Sequence, residues 1–223
     1  MIKYHQLTAI FSLVVGISVS FAAPDKPPIP TMPLVPRAPA FSSWTITFAR
    51  EKPALTPGKP VPQLIVDREQ SVTVVKTNRT YWEVTTLTSG KKTERWICNG
   101  IELIKPQGSD QICQVEREEG FSHSFNFSNS DFEGLEWVSL DNYLGIKQYE
   151  GKSTFAFGSK PAKQEDKSGN NRSAILSVDT QLPLFSSDHN GSRTYTYNVP
   201  PTSPLVPPGN FLKAFKEFGI NFK

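Results

Sequence analysis

Short runs in which every second residue is apolar recur along most of this chain, and they constrain its fold more than any single motif. In "SSWTITFAR" (residues 42–50), Trp44, Ile46 and Phe48 alternate with Thr45, Thr47 and Ala49. That period of two gives a strand one apolar face and one largely hydroxylated face. The runs "QSVTVVKT", "TYWEVTTLT", "TERWICN", "IELIK", "QICQVE", "FSHSFNFS", "STFAFGS", "SAILSV" and "RTYTYNV" read the same way, being rich in Val, Ile, Thr and aromatic residues. Gly, Asn, Ser and Asp punctuate them, and "TSGKK" and "DHNGS" are hairpin turns, since Asn-Gly tolerates the positive φ of a tight connection. The spacing predicts a mainly β protein: a single curved antiparallel sheet or unclosed half-barrel with a few short helices.

Helical signals are confined to two places. "DFEGLEWVSLDNYLG" (residues 131–145) can hold a short turn capped by Asp131. "NFLKAFKEFG" predicts an amphipathic helix over 210–218, with Asn210 as cap, Phe211, Leu212, Phe215 and Phe218 on one side, and Gly219 as stop. An element that short persists only if its Phe face docks on the sheet.

The ends of the chain have a different character. Lys3 precedes an apolar stretch of 13 residues (7–19) and small residues at Ser20, Ala22 and Ala23, the pattern of a secretory leader. The stretch is shorter than the roughly 20 residues of a membrane span. Cleavage after Ala22 avoids placing Pro24 next to the cut. Residues 1–22 are therefore expected as a signal peptide, and the mature protein as exported, periplasmic or secreted, and peripheral to a membrane at most. Residues 23–40 form a Pro-rich extended arm, with seven prolines between 24 and 39; polyproline II and a spacer role are expected. Residues 41–223 form the β domain.

Composition excludes several functions. Removing Lys3 from 24 basic residues leaves 23 against 21 acidic ones, with no basic stripe for nucleic acid. "YEGKSTFAF" contains Gly-Lys-Ser, but Ile146 stands where a phosphate loop needs its first glycine, and a strand rather than a helix follows. No nucleophile elbow is present. His123 shares a strand face with Phe121, Phe125 and Phe127, which suits a core-edge histidine better than a base, and His189 lies in a turn. Glu118, Glu119, Glu133 and Glu136 would serve a glycosidase only if paired across a cleft. Sequons at Asn78, Asn126, Asn171 and Asn190 would matter only in a eukaryotic host. No catalytic residue, cofactor or metal is implied.

Cys98 and Cys113 lie 15 residues apart in an exported chain, so a disulfide is the preferred reading, worth about 3 kcal/mol through the unfolded state. Two buried thiols, or half of a metal site, are the alternatives.

The stretch from Trp137 to Tyr197 carries a resemblance. Asp179, Thr180, Leu182, Pro183, Gly191, Tyr195 and Tyr197 follow the order of a strand, an Asp-x-x-Thr-x-Leu-Pro-like signature, a Gly-containing loop and an aromatic strand. In this the chain resembles the LolA/LppX-like periplasmic lipoprotein carriers, although Asp179 and Thr180 are adjacent rather than separated. Trp137, Ser139, Asn142, Tyr143 and Gly145 also resemble a pattern in exported proteins of Verrucomicrobia-type bacteria. The carrier resemblance implies an apolar concave face that holds a lipid or lipoprotein acyl chain. On the alternation, that face comprises Trp44, Ile46, Phe48, Phe125, Phe127, Phe155 and Phe157. If something lies across it, the same residues are simply core, and the protein is an envelope structural or protein-interaction module.

Overall fold

The computed structural model describes residues 28–50, 67–106, 108–114, 130–159, 171–189 and 191–222. The leader, Phe125, Phe127, His123, Glu118, Glu119 and Asn126 lie outside them. Among the described residues, eleven strands form one antiparallel sheet: β1 (Phe41–Ala49), β2 (Glu69–Thr77), β3 (Thr80–Leu87), β4 (Lys92–Cys98), β5 (Ile101–Lys105), β6 (Cys113–Gln114), β7 (Tyr143–Tyr149), β8 (Lys152–Gly158), β9 (Ser173–Ser177), β10 (Pro183–Asp188) and β11 (Gly191–Tyr197). Their spatial order is β6-β5-β4-β3-β2-β1-β11-β10-β9-β8-β7. The chain therefore meanders from the centre to one edge, crosses to the other edge, and meanders back to pair β11 with β1. The edges β6 and β7 do not pair with each other, so the sheet is an unclosed half-barrel.

Directly paired residues share a face, and register thus assigns each side chain. Trp44 is opposite both Val74 and Tyr197, and Ile46 is opposite both Val72 and Tyr195. Following the pairs outward puts Leu176, Phe155 and Ile146 on the same face toward β7. Toward β6 that face carries Tyr81, Glu83, Thr85, Arg95, Ile97 and Glu102. This is the inner face. The outer face carries Thr45, Thr73, Thr194 and Thr196 near the centre and Trp82, Trp96, Cys98 and Leu103 toward β6.

Each face has its own cover. The outer aromatic patch receives α1 (Gly209–Glu217), whose Phe211 and Phe215 are fully buried against Trp96, Cys98 and Leu103. Asn210 does not cap this helix; Pro208 occupies the cap position and Asn210 lies inside the first turn, because the first helical hydrogen bond runs from Leu212 N to Pro208 O. Gly219, with φ +73°, ends it. Phe218 stays 41% exposed, off the buried stripe.

The inner face is covered by residues 130–139, which cross from one edge toward the other, and by residues 30–38. Phe132 packs on Trp44 at 5.4 Å with the rings tilted by 48°, and meets Tyr195 edge-on at 5.9 Å. Leu135 and Leu34 complete the same cluster. The stretch 131–145 holds only a 3-10 turn at Leu140–Asn142 before it becomes β7.

The expected disulfide is absent: both cysteines are free thiols, Cys98 buried and Cys113 exposed. Register explains this. Cys98 is on the outer face of β4, while Cys113, paired with Ile104 and through it with Arg95, is on the inner face of β6. Strand β5 stands between them, and two interstrand spacings of about 4.8 Å already exceed the roughly 7 Å that a bridge tolerates between Cα atoms.

Candidate functional site

The residues expected to line a ligand face divide three ways. Trp44, Ile46, Phe155 and Phe157 share the inner face and are at most 2% exposed. Phe48 packs at the margin of the same cluster and is half-buried. Phe125 and Phe127 lie outside the described residues. The four central side chains are core, held between the sheet and the crossing segment, and they line neither of the two cavities beside the proline segment.

What holds the cover in place was not visible as a motif. Asp131 is completely buried, and its carboxylate accepts from Lys76 Nζ at 2.7 Å, Tyr81 OH at 2.9 Å and Ala38 N at 2.8 Å. Lys76 Nζ also donates to Ala38 O at 2.8 Å. One knot thus joins the sheet, the crossing segment and the proline segment, and Asp131 is an ion-pair partner rather than a helix cap. Burial, and then the neighbouring Asp131 charge, push the Tyr81 hydroxyl well above the usual phenol range, so it remains a donor.

A second clamp grips the other end of the proline segment. Gln181, at φ +56° in the β9–β10 turn, accepts from Thr31 N and Thr31 Oγ1 through Oε1 and donates through Nε2 to the carbonyls of Thr31, Pro33 and Leu34. Residues 31–38 are therefore a packed layer and not a free spacer. The segment belongs to no strand or helix, and its carbonyls are open to side-chain donors.

The carrier-like signature turns out to be anchoring. Tyr197 OH donates to Pro183 O at 2.9 Å, closing β11 onto β10. Asn142 Nδ2 donates to Trp137 O at 2.7 Å, fixing the crossing segment where it enters β7. His189 is exposed.

Two spaces remain along the proline segment. A groove of about 420 Å³ separates Met32, Leu34 and Val35 from Leu135, Val138 and Leu140. Ser130, Glu136 and Ser139 also line it, and its apolar rim is wet: Met32 is 75% and Leu140 56% exposed. A cleft of about 700 Å³ lies beyond Ala38, against the ends of the β2–β3 and β4–β5 hairpins, and Arg37, Lys76, Arg79 and Tyr81 line it. The sequence alternation could not find either space, because each is built from the covering segments and turns.

A third cluster sits on the inner face toward β6. Arg95 bridges Glu83 at 3.5 Å and Glu102 at 3.1 Å, and both carboxylates are 2% exposed. Burial raises Glu83 to about 7 against the opposing pull of Arg95.

No family model matches the sequence, and no curated protein matches it. Among solved structures, the lipoprotein LppX of Mycobacterium tuberculosis overlaps with 14% identity over 75% of this chain and 90% of its own, at a TM-score of 0.43. A DUF1329 family protein from Desulfovibrio piger overlaps with 15% identity over 67% of this chain and 65% of its own, at a TM-score of 0.27. Neither overlap is close enough to transfer a role. Nothing found connects the chain to Verrucomicrobia-type proteins.

Proposed function

We propose that this is an exported, non-catalytic binding module for an apolar or amphiphilic ligand, a lipid or an acyl chain, taken up at the inner-face cover. The observation that supports it is the groove between Met32, Leu34, Val35 and Leu135, Val138, Leu140, a concave space bounded by two segments that Lys76 and Gln181 hold in place. Its volume lies in the range of small-ligand sites, about 300–1,000 Å³. Each methylene sequestered there contributes about 0.8 kcal/mol. A chain seated in the groove lies beside the core formed by Trp44, Phe155 and Phe157 without displacing them. A longer chain reaches those residues only if the 131–138 segment lifts.

The test is native mass spectrometry of the protein purified from its host's export compartment, followed by denaturing extraction and lipid analysis. A stoichiometric apolar adduct that Val138→Trp removes, without loss of folding, supports the reading. A bare mass that stays bare after addition of phospholipid and acylated peptide ends it.

A second reading, an envelope structural or protein-interaction module with a filled core, is favoured by the near-complete burial of Trp44, Ile46, Phe155 and Phe157. A protein partner recovered at stoichiometry from the envelope, together with the bare mass, is its signature.

A further inference from the structure

We infer that the amphiphile taken up in the groove has a cationic head, an ammonium group on a single apolar chain, and that the Glu136 carboxylate selects it. Resting on the amphiphile reading, this adds the sign of the head. The apolar walls of the groove come from residues 32–35 on one side and 135–140 on the other, and three polar side chains, Ser130, Glu136 and Ser139, complete the lining. Among the described residues, no other charged group lines it. Glu136 is exposed, and its Oε1 accepts from Gly134 N at 3.2 Å, which holds the side chain to its own turn. Its Oε2 has no partner among the described residues.

The charges around the groove have one sign. Residues 28–36, which supply one wall, contain no ionisable side chain. Residues 130–142, which supply the other, contain Asp131, Glu133, Glu136 and Asp141 and no Lys or Arg. Asp131 is paired with Lys76 at 2.7 Å, and Glu133 lies near the Arg193 guanidinium. Glu136 and Asp141 are exposed, and Asp141 directly follows Leu140 of the lining. A carboxylate or phosphate head would meet a like charge at this wall, and an alcohol would gain only one hydrogen bond. An ammonium brings three donors and the opposite charge to an acceptor that is already oriented. Because the rim is open to water, the pair is worth what an exposed pair is worth, so the walls supply affinity and Glu136 supplies selectivity. At about 420 Å³ the groove lies toward the small end of the ligand-site range, about 300–1,000 Å³, which suits one chain better than a multi-chain lipid.

The test titrates the full mature chain calorimetrically at neutral pH, below micelle-forming concentrations, with three probes of one chain length: dodecylammonium, dodecanol and dodecanoate. The variants are Glu136→Gln, which keeps an acceptor for Gly134 N, Val138→Trp, which fills the groove, and Glu217→Gln on the exposed side of α1, a control for diffuse charge. Unchanged urea midpoints show that each variant folds. The expected order is dodecylammonium about fivefold tighter than dodecanol and about tenfold or more tighter than dodecanoate, collapsing to within about twofold in Glu136→Gln. Glu217→Gln should leave that order unchanged, and Val138→Trp should abolish binding of all three. Equal binding of the three probes to the wild-type chain overturns the cationic head and leaves the amphiphile reading standing. A preference for dodecylammonium that survives Glu136→Gln, or that Glu217→Gln removes equally, overturns the role of Glu136. Binding of none of the probes, or binding that Val138→Trp leaves intact, overturns both.

Discussion

The two halves of the inner face obey the same alternation, and only one of them works buried ion pairs into the apolar core. From β1 across β11 to β7 it presents Trp44, Tyr195, Leu176, Phe155 and Phe157, covered by Phe132 and Leu135. From β2 to β5 it continues that cluster with Val72, Val74 and Ile97 but interleaves Lys76, Tyr81, Glu83, Thr85, Arg95 and Glu102, all buried or nearly so. Period two reports which side of a strand is inside and is silent on whether the inside is oil or ion pairs. An apolar half derives its stability from burial and packing. A buried ionic half roughly offsets desolvation with pairing, and is costly only when a partner is lost.

That contrast makes graded predictions, measured as urea-unfolding free energies. Phe157→Ala in the apolar half should cost about 4 kcal/mol, as transfer and cavity terms add. Asp131→Ala in the knot should cost about 3–4 kcal/mol by stranding Lys76, yet the paired change Lys76→Met/Asp131→Leu should recover most of it. If the pair is no better than the single, the knot contributes more than charge compensation, and the contrast between the halves fails. Glu83 separates them by pH. Its carboxyl rises from 4.5 to about 7 on folding, so the folded chain holds that proton more tightly than the unfolded one. The resulting stabilisation is complete below the unfolded value and is lost as pH rises through about 7. Relative to wild type, Glu83→Gln should therefore gain up to about 3 kcal/mol between about pH 5 and about pH 8. A flat difference over that window would place the proton elsewhere. At the small end, Cys113→Ser should change stability by less than about 0.5 kcal/mol, whereas Cys98→Ser, packed with Trp96 and Phe211, should cost more. Thiol titration of the unreduced, unfolded chain should find both sulfurs free.

The strand pattern made the fold class legible. Trp44, Ile46 and Phe48 set the phase of β1, and the hydroxylated positions opposite them appear on the outer face as expected. The misses have local causes. β7 was hidden because "NYLGIKQY" has no clear alternation and follows a segment that reads as helical. Cys98 and Cys113 looked like a pair because sequence distance carries no information about strand parity. Glu83, Arg95 and Glu102 belong to no motif in the sequence, and only the register aligns them across three neighbouring strands. The two clamps were out of reach for a different reason. Gln181 and Asp131 act on backbone groups of residues 31–38, 150 residues from Thr31 and 93 from Ala38 in sequence, and a glutamine in a turn or an aspartate in a loop has no distinguishing context.

The pairing of β1 with β11 has a consequence for how the chain is made. β1 to β6 is a complete meander that can zip up from neighbouring segments, and so is β7 to β11. The partner for the free side of β1, however, is synthesised last. Until then that strand, with Trp44 and Ile46 on one side, is an open edge of the kind that recruits other chains. The nascent protein thus carries its most aggregation-prone surface for nearly the whole of its synthesis, and a chain truncated before Gly191 would carry it permanently.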